Sequence, residues 1–240
     1  MMNIPPLIQA LAHDLRWQLV TSLSQSDRRV AELVRLTQQP QNLVSYHLRL
    51  LRDAQLVTER RSSADARDVY YSLDVQRLQT EFQTLGAAIH PALGTPATAL
   101  ESTEPIRILF LCTENRARSQ MAECMMRALA GKRVEVFSAG TQPQPIHPLA
   151  LSTLAEYGLD ASQQTPKHLD LFDGQHFEYV VTVCDRVREA CPTFANADHD
   201  IHWSLTDPAA ADANEQPDAF REVARQLYKR SQFFLMQLQG

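Results

Sequence analysis

Cys112 stands six residues ahead of Arg118, with Ser119 directly after, a spacing too common in a chain with twenty arginines to mean anything by itself. Position gives it meaning. The apolar run 106–111 reads as a strand, and the residues from Ser119 to Ala130 read as a helix. A loop that leaves a strand and enters a helix turns several backbone N–H groups inward, forming a nest for a tetrahedral oxyanion that the helix dipole reinforces. Thr113, Glu114, Asn115, Arg116, Ala117, Arg118 and Ser119 are therefore the candidate oxyanion-binding residues. The same field predicts a lowered pKa for Cys112, which makes it a thiolate nucleophile. Arg118 has the planar fork to hold two oxygens of the anion, Ser119 can donate to the thiolate, and Asn115 can brace the loop. An inert buried cysteine at a strand end is the plainer alternative. Displacement at an oxyanion also needs an acid for the departing oxygen, and Asp207, followed by Pro208, is placed after the fourth predicted strand. Cys184 ends the third predicted strand and so shares the carboxyl edge of a parallel sheet with Cys112, where open α/β sheets keep their sites. Cys191 follows seven residues later, in a stretch read as irregular and able to move.

The composition, 44% hydrophobic, 21% charged and 7% aromatic, excludes disordered, collagenous and coiled-coil chains. No apolar run approaches the ~18 residues of a membrane span, and the start lacks a secretory layout, so a cytoplasmic protein without membrane contact is expected. Four cysteines are too few for a disulfide scaffold, and none lies in the first 111 residues. Charge divides along the chain as well. Residues 1–100 hold ten Arg, no Lys and nine acidic residues, whereas the remainder holds 13 basic and 19 acidic, giving −5 overall.

The Pro-, Thr- and Ala-rich stretch 91–105 reads as a linker between a domain at 1–90 and a domain at 106–240. Upstream, helical periodicity covers 6–23, 30–36 and 44–51. Strands at 56–61 and 68–73 flank a polar turn, and a helix spans 75–89. This order is that of a winged helix-turn-helix. Gln41, Asn42, Ser45 and Tyr46 project early from its second helix and Arg49 lies a turn further on, as side chains that can meet base edges or phosphates. Arg60, Arg61 and Arg67 in the hairpin are placed to approach the flanking backbone. A small helical domain with a solvated arginine face is the alternative. Downstream, strands at 106–111, 133–138, 178–183 and 201–205 alternate with helices at 119–130, 148–157 and 217–238. The pattern predicts an α/β three-layer domain on a four-stranded parallel sheet.

Several runs match a known family in order and spacing: Leu7 to Arg16, Val30 to Leu33, Leu43 to Val57 and the wing at Val69 to Tyr71. Over residues 5–85 the chain resembles the ArsR/SmtB repressors. The resemblance implies a homodimer through the first and last helices that binds palindromic operator DNA. Arsenic-sensing members carry a cysteine pair near the helix-turn-helix, which is lacking here. Asp74, Glu81 and His90 do not form the paired arrangement of the zinc-sensing members, and His13 and His47 read as packing or capping residues.

The binding loop together with Asp207 resembles the low-molecular-weight phosphatase fold over 105–238. Cys184 and Cys191, with the runs 118–123, 138–140 and 202–209, resemble the thiol-dependent arsenate reductases that share it. The implied mechanism has Cys112 attack arsenate held by the loop amides and Arg118, with Asp207 assisting departure of oxygen. Cys184 then attacks Cys112 and arsenite leaves. Cys191 takes over the disulfide from Cys112, for thioredoxin or a similar thiol to open. Cys124 is a packing residue, and neither metal nor organic cofactor is required. Glu114 and Arg116 depart from the small or neutral residues usual in that loop, and Glu114 predicts weaker anion binding. Three other readings use the same residues. A phosphatase would hydrolyse a phosphocysteine with water, although the alanines at 209–211 leave no ring to stack on a phosphotyrosine. A zinc site would use Cys184, Cys191, His199 and His202, at an unusual spacing. A non-catalytic oxyanion or redox sensor would control the DNA-binding half.

Overall fold

A computed structural model describes residues 4–65, 67–90, 105–190, 194 and 196–238. The stretch 91–104, which covers nearly all of the expected linker, and Cys191 lie outside the described residues. The chain divides into two compact units, 1–98 and 99–240. No helix among the described residues is long and apolar enough to cross a membrane.

The first unit runs α1 (Pro6–Leu11), α2 (Asp14–Gln25), β1 (Arg28–Arg29), α3 (Val30–Thr37), α4 (Gln41–Asp53), β2 (Val57–Arg61), β3 (Val69–Leu73) and α5 (Val75–Ile89). The single helix expected over 6–23 is two. His13 is extended, with φ −155° and ψ 127°, and its Nδ1 accepts from the Leu15 amide at 3.2 Å, capping α2. Leucines four apart continue through the break in nearly the same phase, so periodicity alone runs the two helices together. Arg28–Arg29 was not expected as a strand; it pairs with Tyr70 and Tyr71 of β3, which also pairs with β2. Leu19, Leu33, Val44, Leu48 and Leu51 are fully buried in the core between α2, α3 and α4. Gln38 takes the left-handed conformation (φ 53°) that turns the chain from α3 toward α4.

The second unit contains β4 (Ile106–Cys112), α6 (Arg118–Ala130), β5 (Val134–Gly140), α7 (Pro148–Glu156), β6 (Phe177–Thr182), α8 (Asp185–Ala190), β7 (Ala197–His202) and α9 (Gln216–Gln237). Two sequence expectations need correction. The fourth strand is Ala197–His202 rather than 201–205, because its ladder to β6 runs from Ala197 opposite Phe177 to His202 opposite Thr182. The stretch after Cys184 is the short helix α8 rather than irregular chain. Its six residues carry too few apolar positions to show a helical period.

All four strands are parallel in the order β5-β4-β6-β7. From β4 the chain first goes to one side, to β5, and then returns past β4 to β6. The topological switch point therefore lies between β4 and β6, whose carboxyl ends lead into Cys112 and Cys184, and ligands of open α/β sheets bind at such crevices. Buried residues of the sheet and of α6, α7 and α9 form one core around Phe110, Met121, Phe177 and Phe220.

Candidate active site

Five residues, 113–117, carry the chain from the end of β4 into α6, and their carbonyls show how the loop is wound. The Gln142, Gln144 and His147 amides donate to the carbonyls of Thr113 (2.8 Å), Glu114 (2.9 Å) and Arg116 (2.9 Å). In a trans peptide the N–H points opposite to the carbonyl. The amides of Glu114, Asn115 and Ala117 are thereby directed to the other side of the loop. The Asn115 amide indeed donates to Cys112 Sγ at 3.0 Å, and Cys112 Sγ is 2.9 Å from Ser119 Oγ.

Asn115 has φ 47° and is fully buried, and its side chain explains how that strained conformation is held. Its Nδ2 donates to Ser119 Oγ (2.9 Å) and to Ser138 Oγ (2.8 Å). Its Oδ1 accepts from Gln120 Nε2 (3.0 Å) and from the Lys167 amide (2.7 Å). Ser138 in turn donates to buried Glu123 (2.5 Å), which also meets Arg127 and, at 3.3 Å, Lys167 Nζ. A Cβ on Gly140 would lie 2.6 Å from the Thr113 carbonyl and 2.8 Å from the Asn115 amide nitrogen, so only glycine lets β5 approach the loop this closely. Glu123, Ser138, Gly140 and Lys167 were not among the expected site residues. A carboxylate amid the buried apolar residues of α6 was the available signal for Glu123; nothing local marks Lys167.

Arg118 is buried, and its Nη1 donates to the Leu205 carbonyl (3.1 Å) while Nη2 meets Asp207 Oδ2 at 3.0 Å. The guanidinium and the candidate acid thus stand together beside the loop although 89 residues separate them. Glu114 pairs with Arg116 at 2.5 Å, both partly exposed, which offsets the repulsion that Glu114 would otherwise exert on an anion. Thr113 Oγ1 lies 3.4 Å from Cys184 Sγ, so the loop of Cys112 and the end of β6 are in direct contact.

Burial pushes the Cys112 thiol above its ordinary pKa, and a neighbouring Cys184 charge acts the same way. The Ser119 hydroxyl, the Arg118 charge and the Asn115 amide oppose the shift without cancelling it. The expected lowered pKa is corrected accordingly: a thiol with only 4% of its surface exposed loses more in hydration of its charge than these groups return. Cys124 is buried on α6 with its sulfur facing the Asp160 carbonyl at 4.0 Å. Of the residues weighed for zinc, His199 stacks on Tyr179 (4.9 Å), and His202 has both ring nitrogens engaged, by Thr182 and Asp185. No group of three His, Cys, Asp or Glu among the described residues is arranged to hold a metal.

In the first unit, Gln41, Asn42, Ser45, Tyr46 and Arg49 are all exposed on α4, opposite buried Val44, Leu48 and Leu51. Arg49 lies over the Tyr46 ring at 5.5 Å. Arg61 is exposed at the end of β2, and Arg60 beside it donates to the Arg61 carbonyl. Arg67 is engaged by Asp65 at 2.6 Å, which holds that carboxyl down to a pKa of about 2. Arg29 grips Asp68 at 2.6 Å and ties the turn end of the hairpin to the strand before α3.

The fold and the loop together define an α/β protein with a cysteine in a turn of inward-facing amides between strand and helix. Residues 107–240 match the low molecular weight phosphotyrosine protein phosphatase model, more than half of the chain, and the chain belongs to that family. Its amino-terminal part is a helix-turn-helix of the bacterial regulatory protein arsR family, matched over residues 13–59. An arsenate reductase of Halalkalibacterium halodurans is 35% identical over 129 residues, 53% of this chain and 93% of its own length. One from Brevibacillus brevis is 34% identical over 122 residues, 51% of this chain and 91% of its own. A solved arsenate reductase in the phosphate binding state aligns with a TM-score of 0.47 at 26% identity, over 55% of this chain and 98% of its own.

Proposed function

We propose that the chain is an ArsR-type DNA-binding transcriptional regulator fused to an arsenate reductase. The observation that carries the reductase reading is the contact of the Cys112 loop with Cys184 through Thr113. Phosphate-ester hydrolysis needs no second thiol there, whereas reduction needs one. The identity to arsenate reductases across nearly their whole length supports the same reading.

Arsenate, a tetrahedral oxyanion, is held by the inward amides of the loop and by Arg118 once the guanidinium turns from Asp207. Cys112 attacks arsenic, its thiol proton passing to an arsenate oxygen, and water departs with Asp207 as the acid. Cys184 attacks Cys112 Sγ; the S–S bond forms, the S–As bond breaks and its electron pair stays on arsenic. Two thiols are oxidised to a disulfide as As(V) becomes As(III), and arsenite leaves. Cys191 then exchanges onto Cys184, freeing Cys112. The six residues of α8 lie between these two cysteines. Thioredoxin or a similar dithiol reduces the product.

The first unit supplies operator recognition by Gln41, Asn42, Ser45, Tyr46 and Arg49, with Arg60, Arg61 and Arg67 toward the phosphates, as a homodimer. The absence of cysteine from the first 111 residues favours a second role for the reductase unit, as the sensor of that operator-binding half. The test is arsenate reduction with thioredoxin, thioredoxin reductase and NADPH, comparing wild type with Cys112→Ser, Cys184→Ser and Cys191→Ser. Turnover in wild type alone is expected. Turnover surviving in Cys184→Ser, or phosphate-ester hydrolysis in place of arsenate reduction, would overturn the reading.

A further inference from the structure

The turn that carries Cys184 into α8 is built on buried polar groups that the reaction above does not use. Asp185 and His202 are both fully buried, with His202 Nε2 3.1 Å from Asp185 Oδ1. Ser204 Oγ donates to the same carboxylate oxygen at 2.9 Å, and His202 Nδ1 lies 2.9 Å from Thr182 Oγ1. A carboxyl group withdrawn from water is tolerated only with partners of this kind, and their directionality fixes its place.

What they fix is the residue next door. The Cys184 carbonyl accepts from the Arg188 amide at 3.2 Å, opening α8, so Cys184 sits at the junction of strand and helix. On its strand side the Val183 amide donates to the Leu111 carbonyl at 2.8 Å, one residue before Cys112. On its helix side Asp185 is tied to His202 and Ser204 at and beyond the end of β7. Cys184 is thus gripped from both neighbours. Beyond Asp185 only Val187 of α8 is buried, with Arg186 and Ala190 exposed and Arg188 and Glu189 half-buried.

We propose that Asp185 and His202 are positioning residues that hold Cys184 against the Cys112 loop for the second thiol step. The inference rests on the reductase reading. The bonds that define the pair run to Thr182, Ser204 and each other, so it acts on the rate at which Cys184 attacks the Cys112 adduct and leaves the reactivity of Cys112 itself alone. Without the anchor, Cys184 samples orientations away from Thr113 and the attack loses its alignment.

Two rates on the full chain separate these effects. One is single-turnover arsenite release without thioredoxin, which needs Cys112 and Cys184. The other is alkylation of Cys112 by iodoacetamide, with its protection by phosphate, read by mass spectrometry. Asp185→Ala removes the anchor and is expected to slow arsenite release roughly tenfold or more, the equivalent of a lost buried hydrogen-bond partner. Cys112 alkylation and its protection should stay within about twofold, since those groups are untouched. Ser204→Ala leaves the Asp185–His202 contact in place and is expected to slow release by only about threefold. Asp185→Asn retains an oxygen for His202 Nε2 and should recover most of the rate. These two milder variants carry the test should Asp185→Ala not fold. Release and alkylation falling together in the variants, or release unchanged in all, would overturn the proposal. Failure of the wild type to release arsenite would instead overturn the reductase reading beneath it.

Discussion

At the scale of single residues, the least obvious property of this protein is that Cys112, the proposed nucleophile, is held back by burial. Because the Cys112 pKa lies above the ordinary value, of about 8.5, the thiolate is the minor form at neutral pH and gains tenfold for each pH unit. The sign follows directly: alkylation of Cys112 should climb steadily from pH 6.5 and show no plateau by about 8.5. Ser119→Ala deletes the largest of the opposing contributions, and the alkylation rate at pH 7 is expected to fall roughly tenfold, as for a lost hydrogen bond to a charged group. A levelling profile near pH 7, or an unchanged rate in the variant, would refute this account. Gly140 supplies a second test at the same scale. The nearest atoms to an added Cβ are backbone atoms of Thr113 and Asn115, which cannot swing aside as a side-chain end would. Gly140→Ala should therefore weaken phosphate binding at least tenfold by calorimetry, with the sheet still folded by circular dichroism, a displacement of the loop by a few tenths of an ångström sufficing.

At the scale of elements, β4, its loop and α6 form one device, and α4 with the β2–β3 hairpin forms another. The first turns loop amides inward at the end of a buried strand, as the proposed anion cradle requires, because the 142–147 segment pulls the loop carbonyls outward. The second puts five polar residues on the exposed side of a helix whose other side is anchored by Val44, Leu48 and Leu51. The two parts of the proposed DNA reader should respond differently to mutation. Gln41→Ala is expected to lose about 1–3 kcal/mol on the operator while sparing unrelated DNA. Arg61→Ala should weaken every sequence alike and lower the slope of log K against log salt by about 1. Fluorescence anisotropy at several salt concentrations distinguishes them. Equal losses on operator and unrelated DNA for Gln41→Ala would remove it from base recognition.

At the scale of the whole molecule, two units with separate cores divide the chemistry. One has arginines and no cysteine; the other has all four cysteines and the acidic excess. The proposed regulator, the first unit, has no thiol of its own with which to bind arsenic. Operator affinity of the full chain is therefore expected to change on addition of arsenate, arsenite or an oxidant, and Cys112→Ser should abolish that change. The same operator titration checks it, and a response persisting in Cys112→Ser would mean that the amino-terminal unit senses by other means.

Most of this organisation is written locally. The alternation of strand and helix, the α5 limits at Val75 and Ile89, the loop from Cys112 to Ser119 and the opening of α4 after Pro40 follow from short-range periodicity and turn chemistry, and the structure places them there. Short-range signals fail where the deciding contact is distant or where a few residues are too short to show a period. The break at His13 depends on a side-chain cap, β7 begins at Ala197 because β6 offers the partner, and α8 is too brief to announce itself. Only the tertiary structure decided that Arg118 meets Asp207, that Thr113 meets Cys184, and that Asn115, Ser138, Glu123 and Lys167 close one network under the loop. Sequence supplies the chemical groups and their local geometry. Their convergence comes from the order of strands in a parallel sheet, which brings residues dozens of positions apart to one edge, and long-range packing of that kind leaves no local period to read.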